Sequence, residues 1–153
     1  MPAFQGEGEG GHALFQTARV VQTVQAQTSI NLDLSTPLAY NKAKDARILI
    51  IVETSIFSRQ VQALLSDEEY RQLQLALVLH PDMGAVIPGS GGLRKARWAL
   101  PGRGKRGGVR TIYYWAIAQD QILMLFMYAK NEQEDLTPMQ LKVLRKIIEE
   151  EYP

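Results

Sequence analysis

The sequence predicts an α+β domain: a small antiparallel-dominated sheet with two N-terminal helices and one C-terminal helix, the helices gathered on one face. Three observations carry this. The β-branched apolar run Ile48-Leu-Ile-Ile-Val52 reads as a buried strand, and capping boxes at Ser66 and Thr137 mark two helix starts. Between Leu93 and Tyr128, alternating segments read as further strands.

Taken in order, residues 1–46 form an N-terminal extension that is expected to be poorly ordered. They open on Gly-Glu repeats and then become rich in Gln, Thr and Ser. From Val24 to Leu34 every even position is Val, Ala, Thr, Ile or Leu and every odd one is polar, so an added edge strand is the alternative reading. Pro37 ends that pattern, and no hairpin partner follows it. The domain is assigned to residues 47–153. After the Ile48 strand, Phe57, Val61, Leu64 and Leu65 fall at helical spacing. Ser66-Asp-Glu-Glu69 opens a second helix carrying Tyr70, Leu73 and Leu77, which is expected to reach Leu79 and stop before Pro81. Strands are expected at Leu93–Leu100, Val109–Ala118 and Ile122–Tyr128, the last two joined tightly through Gln119 and Asp120. The final helix starts with Thr137 as cap, Pro138 at its first position and Gln140 closing the box. Leu141, Leu144, Ile147 and Ile148 make its buried stripe.

At 153 residues and 46% hydrophobic content the chain suffices for one well-filled core. It has no cysteine, which excludes disulfides, thiolate metal sites and cysteine nucleophiles and points to a reducing cytoplasm. No apolar run approaches the roughly 18–20 residues that span a bilayer, so no membrane association is expected. A secretory signal is not expected either. His12 and His80 are isolated, so no metal site is expected. The glycine-rich stretches do not match a phosphate-binding loop, and no small-molecule cofactor is expected.

The net charge is only +1, yet its distribution is lopsided. Residues 90–110 hold seven of the seventeen cations and no acid: Arg94, Lys95, Arg97, Arg103, Lys105, Arg106 and Arg110. Such crowding is best relieved by a polyanion, and nucleic acid is the expected one. Strand alternation sorts the cluster. Arg94, Ala96 and Trp98 share one face, while Lys95 and Arg97 share the other. In the next strand Arg110, Ile112 and Tyr114 alternate against Thr111, Tyr113 and Trp115. Lys95, Arg97 and Arg110 are therefore expected to meet in one concavity, with Arg103, Lys105 and Arg106 on a glycine-rich flap. Repulsion from Arg94, Arg97 and Arg110 is expected to lower the pKa of Lys95 toward that of a base. Neighbouring aromatic side chains are expected to stack on bases.

Gly91-Gly-Leu-Arg-Lys-Ala-Arg97, Gly102-Arg-Gly-Lys-Arg-Gly-Gly-Val-Arg-Thr-Ile-Tyr-Tyr114 and Tyr128-Ala-Lys-Asn-Glu-Gln-Glu-Asp-Leu-Thr137 resemble the RelE superfamily of bacterial toxins, and within it the HigB subgroup. The similarity covers residues 48–152. It implies a RelE-like fold and the toxin of a type II toxin–antitoxin system, an endoribonuclease (mRNA interferase) that cuts mRNA on the translating ribosome. It also implies a cognate helix-turn-helix antitoxin. Carried over by position, the resemblance makes Lys95, Arg97, Arg110 and Lys130 the catalytic set. Arg94, Arg103, Lys105, Arg106, Tyr113, Tyr128 and Asn131 are the expected RNA-contacting residues. Asn131 stands where arginine is common in the family, and the last helix lacks the tyrosine that RelE carries there.

RNA brings its own nucleophile, the 2′-hydroxyl, so metal-independent cleavage fits a site made of cations. Arginine forks match phosphate oxygens and oppose charge developing in the transition state. Two rival readings remain: a non-catalytic RNA- or DNA-binding module, and a degenerate toxin that retains only antitoxin binding.

Overall fold

The computed structural model describes residues 19–25, 48–104 and 107–153. In chain order its elements are β1 (Arg19–Gln25), β2 (Ile48–Glu53), α1 (Ser55–Leu64), α2 (Asp67–Leu79), β3 (Ala85–Val86), β4 (Arg94–Trp98), β5 (Val109–Ala116), β6 (Gln121–Ala129) and α3 (Pro138–Glu151). The strands form one sheet in the order β1-β2-β6-β5-β4-β3. Only the β2–β6 pair is parallel; the other neighbours run antiparallel. The α+β class and its antiparallel-dominated sheet are as expected.

All three helices start on side-chain caps. Thr54 Oγ1 accepts from Phe57 N at 3.2 Å at the head of α1. Ser66 and Glu69 satisfy each other's backbone donors at 2.9 and 3.1 Å. Thr137 and Gln140 do the same at 3.0 and 3.1 Å. Each cap satisfies donors that a helix start leaves open.

The helices do not gather on one face. Phe57, Val61, Leu73 and Leu77 of α1 and α2 pack with Leu49, Ile51, Tyr113, Met124 and Met127. On the opposite face Leu144, Ile147 and Ile148 of α3 pack with Ile112, Leu123, Leu125 and Phe126. The physical reason lies in β6, which is buried from Ile122 through Tyr128 and so needs cover on both sides.

The strands also differ in detail from expectation. β4 is shorter than Leu93–Leu100, and β5 ends at Ala116. The turn to β6 is a 3-10 turn at Ile117–Gln119 followed by Asp120 in the left-handed region, φ 50°. Asp120 tolerates it because its short polar side chain can bond locally. β3, with two residues, had no sequence signal. β1 lies within the segment read as an extension and pairs antiparallel with β2 along Arg19–Gln25. It overlaps the Val24–Leu34 alternation only at Val24 and Gln25; the rest of that window lies outside the described residues.

One irregularity positions the site. Ile112 pairs with Phe126 but Tyr113 pairs with Met124, so Leu125 is an extra residue in β6. Before the bulge, Leu123 and Leu125 face α3. After it, Phe126 and Tyr128 do. The bulge therefore switches which parity of β6 looks toward α3. It also coincides with the end of β2, where β6 loses its parallel partner. Side chains supply the missing bonds: Thr54 Oγ1 donates to Leu125 O at 3.1 Å, and Met127 N donates to Gln60 Oε1 at 2.7 Å.

Thr54 thus holds both a helix start and the bulge while nearly fully buried. Thr54→Val keeps its shape and removes both bonds. Urea denaturation should show a loss of about 1–3 kcal/mol; unchanged stability would show that neither bond matters.

Candidate functional site

The β4–β5 register sets Arg97 directly opposite Arg110, and Lys95 opposite Ile112. Across β5, Arg110 pairs with Tyr128. Ile112 and Tyr128 both belong to the α3-side core, so Lys95, Arg97, Arg110 and Tyr128 occupy one face, as the alternation predicted for the three cations. Arg97 is exposed and Lys95 half-buried. Arg110 is only 9% exposed, and its guanidinium makes no hydrogen bond among the described residues.

A carboxylate completes this group. Asp135 Oδ1 accepts from Lys95 Nζ at 2.5 Å. The hydrogen bond and charge of Lys95, with Arg97 and Arg110 behind them, hold the Asp135 carboxyl below the ordinary carboxylate range. The repulsion expected around Lys95 is thus met by a counter-charge that the sequence reading did not place. Tyr128 is 4% exposed, and its hydroxyl donates to Glu134 O at 3.4 Å. Burial above all, and then the nearby Asp135 charge, push its phenol up to about 12 against the pull of Arg110 and Arg97. It remains protonated through neutral pH and acts there as a donor, not a base.

Other expected residues lie elsewhere. Arg94 is on the opposite side of β4, where its Nη1 donates to Gly84 O at 2.8 Å and Asp82 O at 3.3 Å. Tyr113 is fully buried on that same side. Its hydroxyl donates to Pro81 O at 2.7 Å and accepts from Gly84 N at 2.9 Å. A Cβ on Gly84 would fall 2.9 Å from the Tyr113 ring, so glycine is required at that contact. Tyr113 therefore cannot stack on a base; it locks the turn after α2 to the sheet. Arg103 is exposed and reaches Glu69 at the head of α2, 3.6 Å away. Lys130 and Asn131 are exposed just past β6, and Lys130 N donates to Gly108 O at 3.0 Å. Lys105 and Arg106 lie outside the described residues.

Chemically, this is a cationic face that carries its own carboxylate, with a buried phenol next to Arg110. The sequence model of the family described as RelE toxin of RelE / RelB toxin-antitoxin system matches residues 51–151. The chain belongs to the RelE toxin family. It is a toxin of a toxin–antitoxin system with an antitoxin partner, and toxins of this family are generally ribonucleases. The match runs from the fourth residue of β2 to the end of α3, and so takes in the whole cationic face of this RelE-family chain. No group of three or more His, Asp or Glu side chains among the described residues is placed to hold a metal ion. No helix among them is long and apolar enough to cross a membrane.

Removing the Tyr113 hydroxyl leaves the buried Gly84 N–H and the partly buried Pro81 carbonyl without it as a partner. Tyr113→Phe should therefore lower stability by about 1–3 kcal/mol while leaving RNA affinity per folded molecule unchanged. Thermal melts and RNA titrations on the same preparations check this; a selective loss of RNA binding would return Tyr113 to the binding surface.

Proposed function

We propose that the chain is a HigB-like, cytoplasmic toxin that cleaves mRNA in the ribosome by metal-independent attack of the RNA 2′-hydroxyl. The observation that carries this reading is the convergence of Lys95, Arg97 and Arg110 beside Tyr128 on one sheet face. In the reaction the 2′-oxygen bonds to the adjacent phosphorus and the bond from phosphorus to the 5′-oxygen breaks, leaving a 2′,3′-cyclic phosphate and a 5′-hydroxyl. The 2′-hydroxyl loses its proton and the departing 5′-oxygen gains one.

Arg110 is the proposed phosphate clamp. It sits in the middle of the sheet with a guanidinium that lacks protein hydrogen bonds among the described residues, so its donors are free for phosphate oxygens. Arg97, opposite it and exposed, opposes the charge that develops on those oxygens. Lys95 and Lys130 are the proposed further catalytic cations, with Lys95 Nζ a donor toward the leaving oxygen. Tyr128 hydrogen-bonds to the bound phosphate or ribose. Arg103, Lys105, Arg106 and Asn131 would contribute RNA attraction around the site, and Arg94 only long-range charge. The ribosome supplies the remaining orientation, which in general is worth roughly 7–11 kcal/mol. Residues 47–153 are the proposed toxin unit, and the proposed antitoxin is of helix-turn-helix type.

Inducing the chain alone in a bacterium should arrest growth, and Arg110→Ala should abolish both arrest and cleavage while weakening ribosome association only modestly. Cleavage on intact ribosomes should survive chelator, and the products should end in a 2′,3′-cyclic or 3′-phosphate. Products with 3′-hydroxyl ends would contradict the chemistry. RNA binding without any cleavage would favour a binding module instead.

The protonated phenol yields a further expectation. Because Tyr128 ionises only near about 12, Tyr128→Phe should lower the cleavage rate without changing the shape of its pH profile around neutrality. A profile that loses a limb in the variant would make Tyr128 a titrating catalyst.

A further inference from the structure

The cationic face already holds an anion of its own. Asp135 lies in the segment between β6 and α3, and its carboxylate meets Lys95 Nζ within the field of Arg97 and Arg110. Those are the three cations that the proposed function directs at the scissile phosphate. Two neighbours hold the segment in place. Gln133 Nε2 donates to Asp135 O and to Gln140 Oε1, both at 2.7 Å. Gln140 is itself buried and locked into the Thr137 capping box. The backbone at Asp135 is therefore anchored to the start of α3, while the carboxylate side chain is 71% exposed. An anchored backbone with an exposed, rotatable carboxylate is suited to leave the cations without disturbing the fold.

We propose that Asp135 is an internal stand-in for phosphate: it neutralises Lys95, Arg97 and Arg110 in the free toxin and is displaced by the RNA phosphate on binding. The proposal rests on the phosphate-binding reading of this face. A phosphate that enters beside Arg97 and Arg110 and takes Lys95 as its third cation meets the Asp135 carboxylate there and exchanges with it. The exchange lowers the affinity of the free protein for stray polyanions. It also holds the Lys95 ammonium beside the position the phosphate takes, so that the group is in place when RNA arrives.

The experiment compares wild type, Asp135→Asn and Glu134→Gln, the last an adjacent exposed acid that controls for net charge. Inorganic phosphate is titrated against each protein while the Arg110 side-chain N–H resonance is followed by NMR. A 2′-O-methyl RNA oligonucleotide, which lacks the nucleophile, is titrated separately by fluorescence anisotropy. Asp135→Asn should bind phosphate roughly fivefold or more tightly than wild type, and Glu134→Gln at most about twofold, since an exposed ion pair contributes only modestly. Equal effects of the two variants, or no phosphate binding at Arg110 in Asp135→Asn, would overturn the proposal. Tighter phosphate binding with no RNA binding by any of the three would leave the exchange standing and remove the RNA reading.

Discussion

Arg97 and Arg110 face each other directly across the β4–β5 ladder, and like charges in that position repel. The rest of the structure can be understood as what makes that repulsion tolerable. Arg110 belongs to the eight-residue strand β5, bonded on one side to β4 and on the other to β6. Alternate residues of β5 are buried in different cores: Val109 and Tyr113 against α1 and α2, Ile112 against α3. A strand fixed by two ladders and two cores cannot turn to move its arginine away. Solvent screens the exposed Arg97, and the Asp135 carboxylate, paired with Lys95, adds an opposite charge to the same face.

The sheet thereby separates structural from functional chemistry. On the α1–α2 side three polar side chains serve the fold: Tyr113 and Arg94 hold the turn at Pro81–Gly84, and Arg103 reaches the cap of α2. On the other side α3 covers the apolar end of the face, where Leu144, Ile147 and Ile148 pack. The cations lie toward the segment that precedes its first turn. Arg94 and Arg103 of the basic hairpin thus have protein partners on the α1–α2 side, whereas Arg97 and Arg110 share the α3-side face with the Lys95–Asp135 pair.

Much of this was legible because it is local. Each capping box needs only residues three apart, and both form as the sequence implied. Alternation along β4 and β5 sorted Lys95, Arg97 and Arg110 onto one face, because neither strand is interrupted between those residues. What was not legible depends on geometry beyond the segment. The bulge at Leu125 reverses the parity of β6, and no residue type there announces it; without it Tyr128 would look toward α1 and α2. Asp135 sits among three acids before a helix, and only the path of the turn selects it over Glu132 and Glu134. Tyr113 looked like a stacking residue from its neighbours, but its position opposite Gly84 makes it core. The placement of helices on both faces follows from the burial of β6, which reads in sequence simply as an apolar run.

If the scissile phosphate takes over the cations that Asp135 now faces, the structure of the toxin on a ribosome whose mRNA carries a 2′-O-methyl group at the cleavage position should show the exchange. The scissile phosphate should lie within hydrogen-bonding distance of Arg110 and Arg97, with Tyr128 beside it and Asp135 turned away from Lys95. A phosphate bound instead on the α1–α2 side, with the Lys95–Asp135 pair intact and Arg110 unengaged, would contradict it.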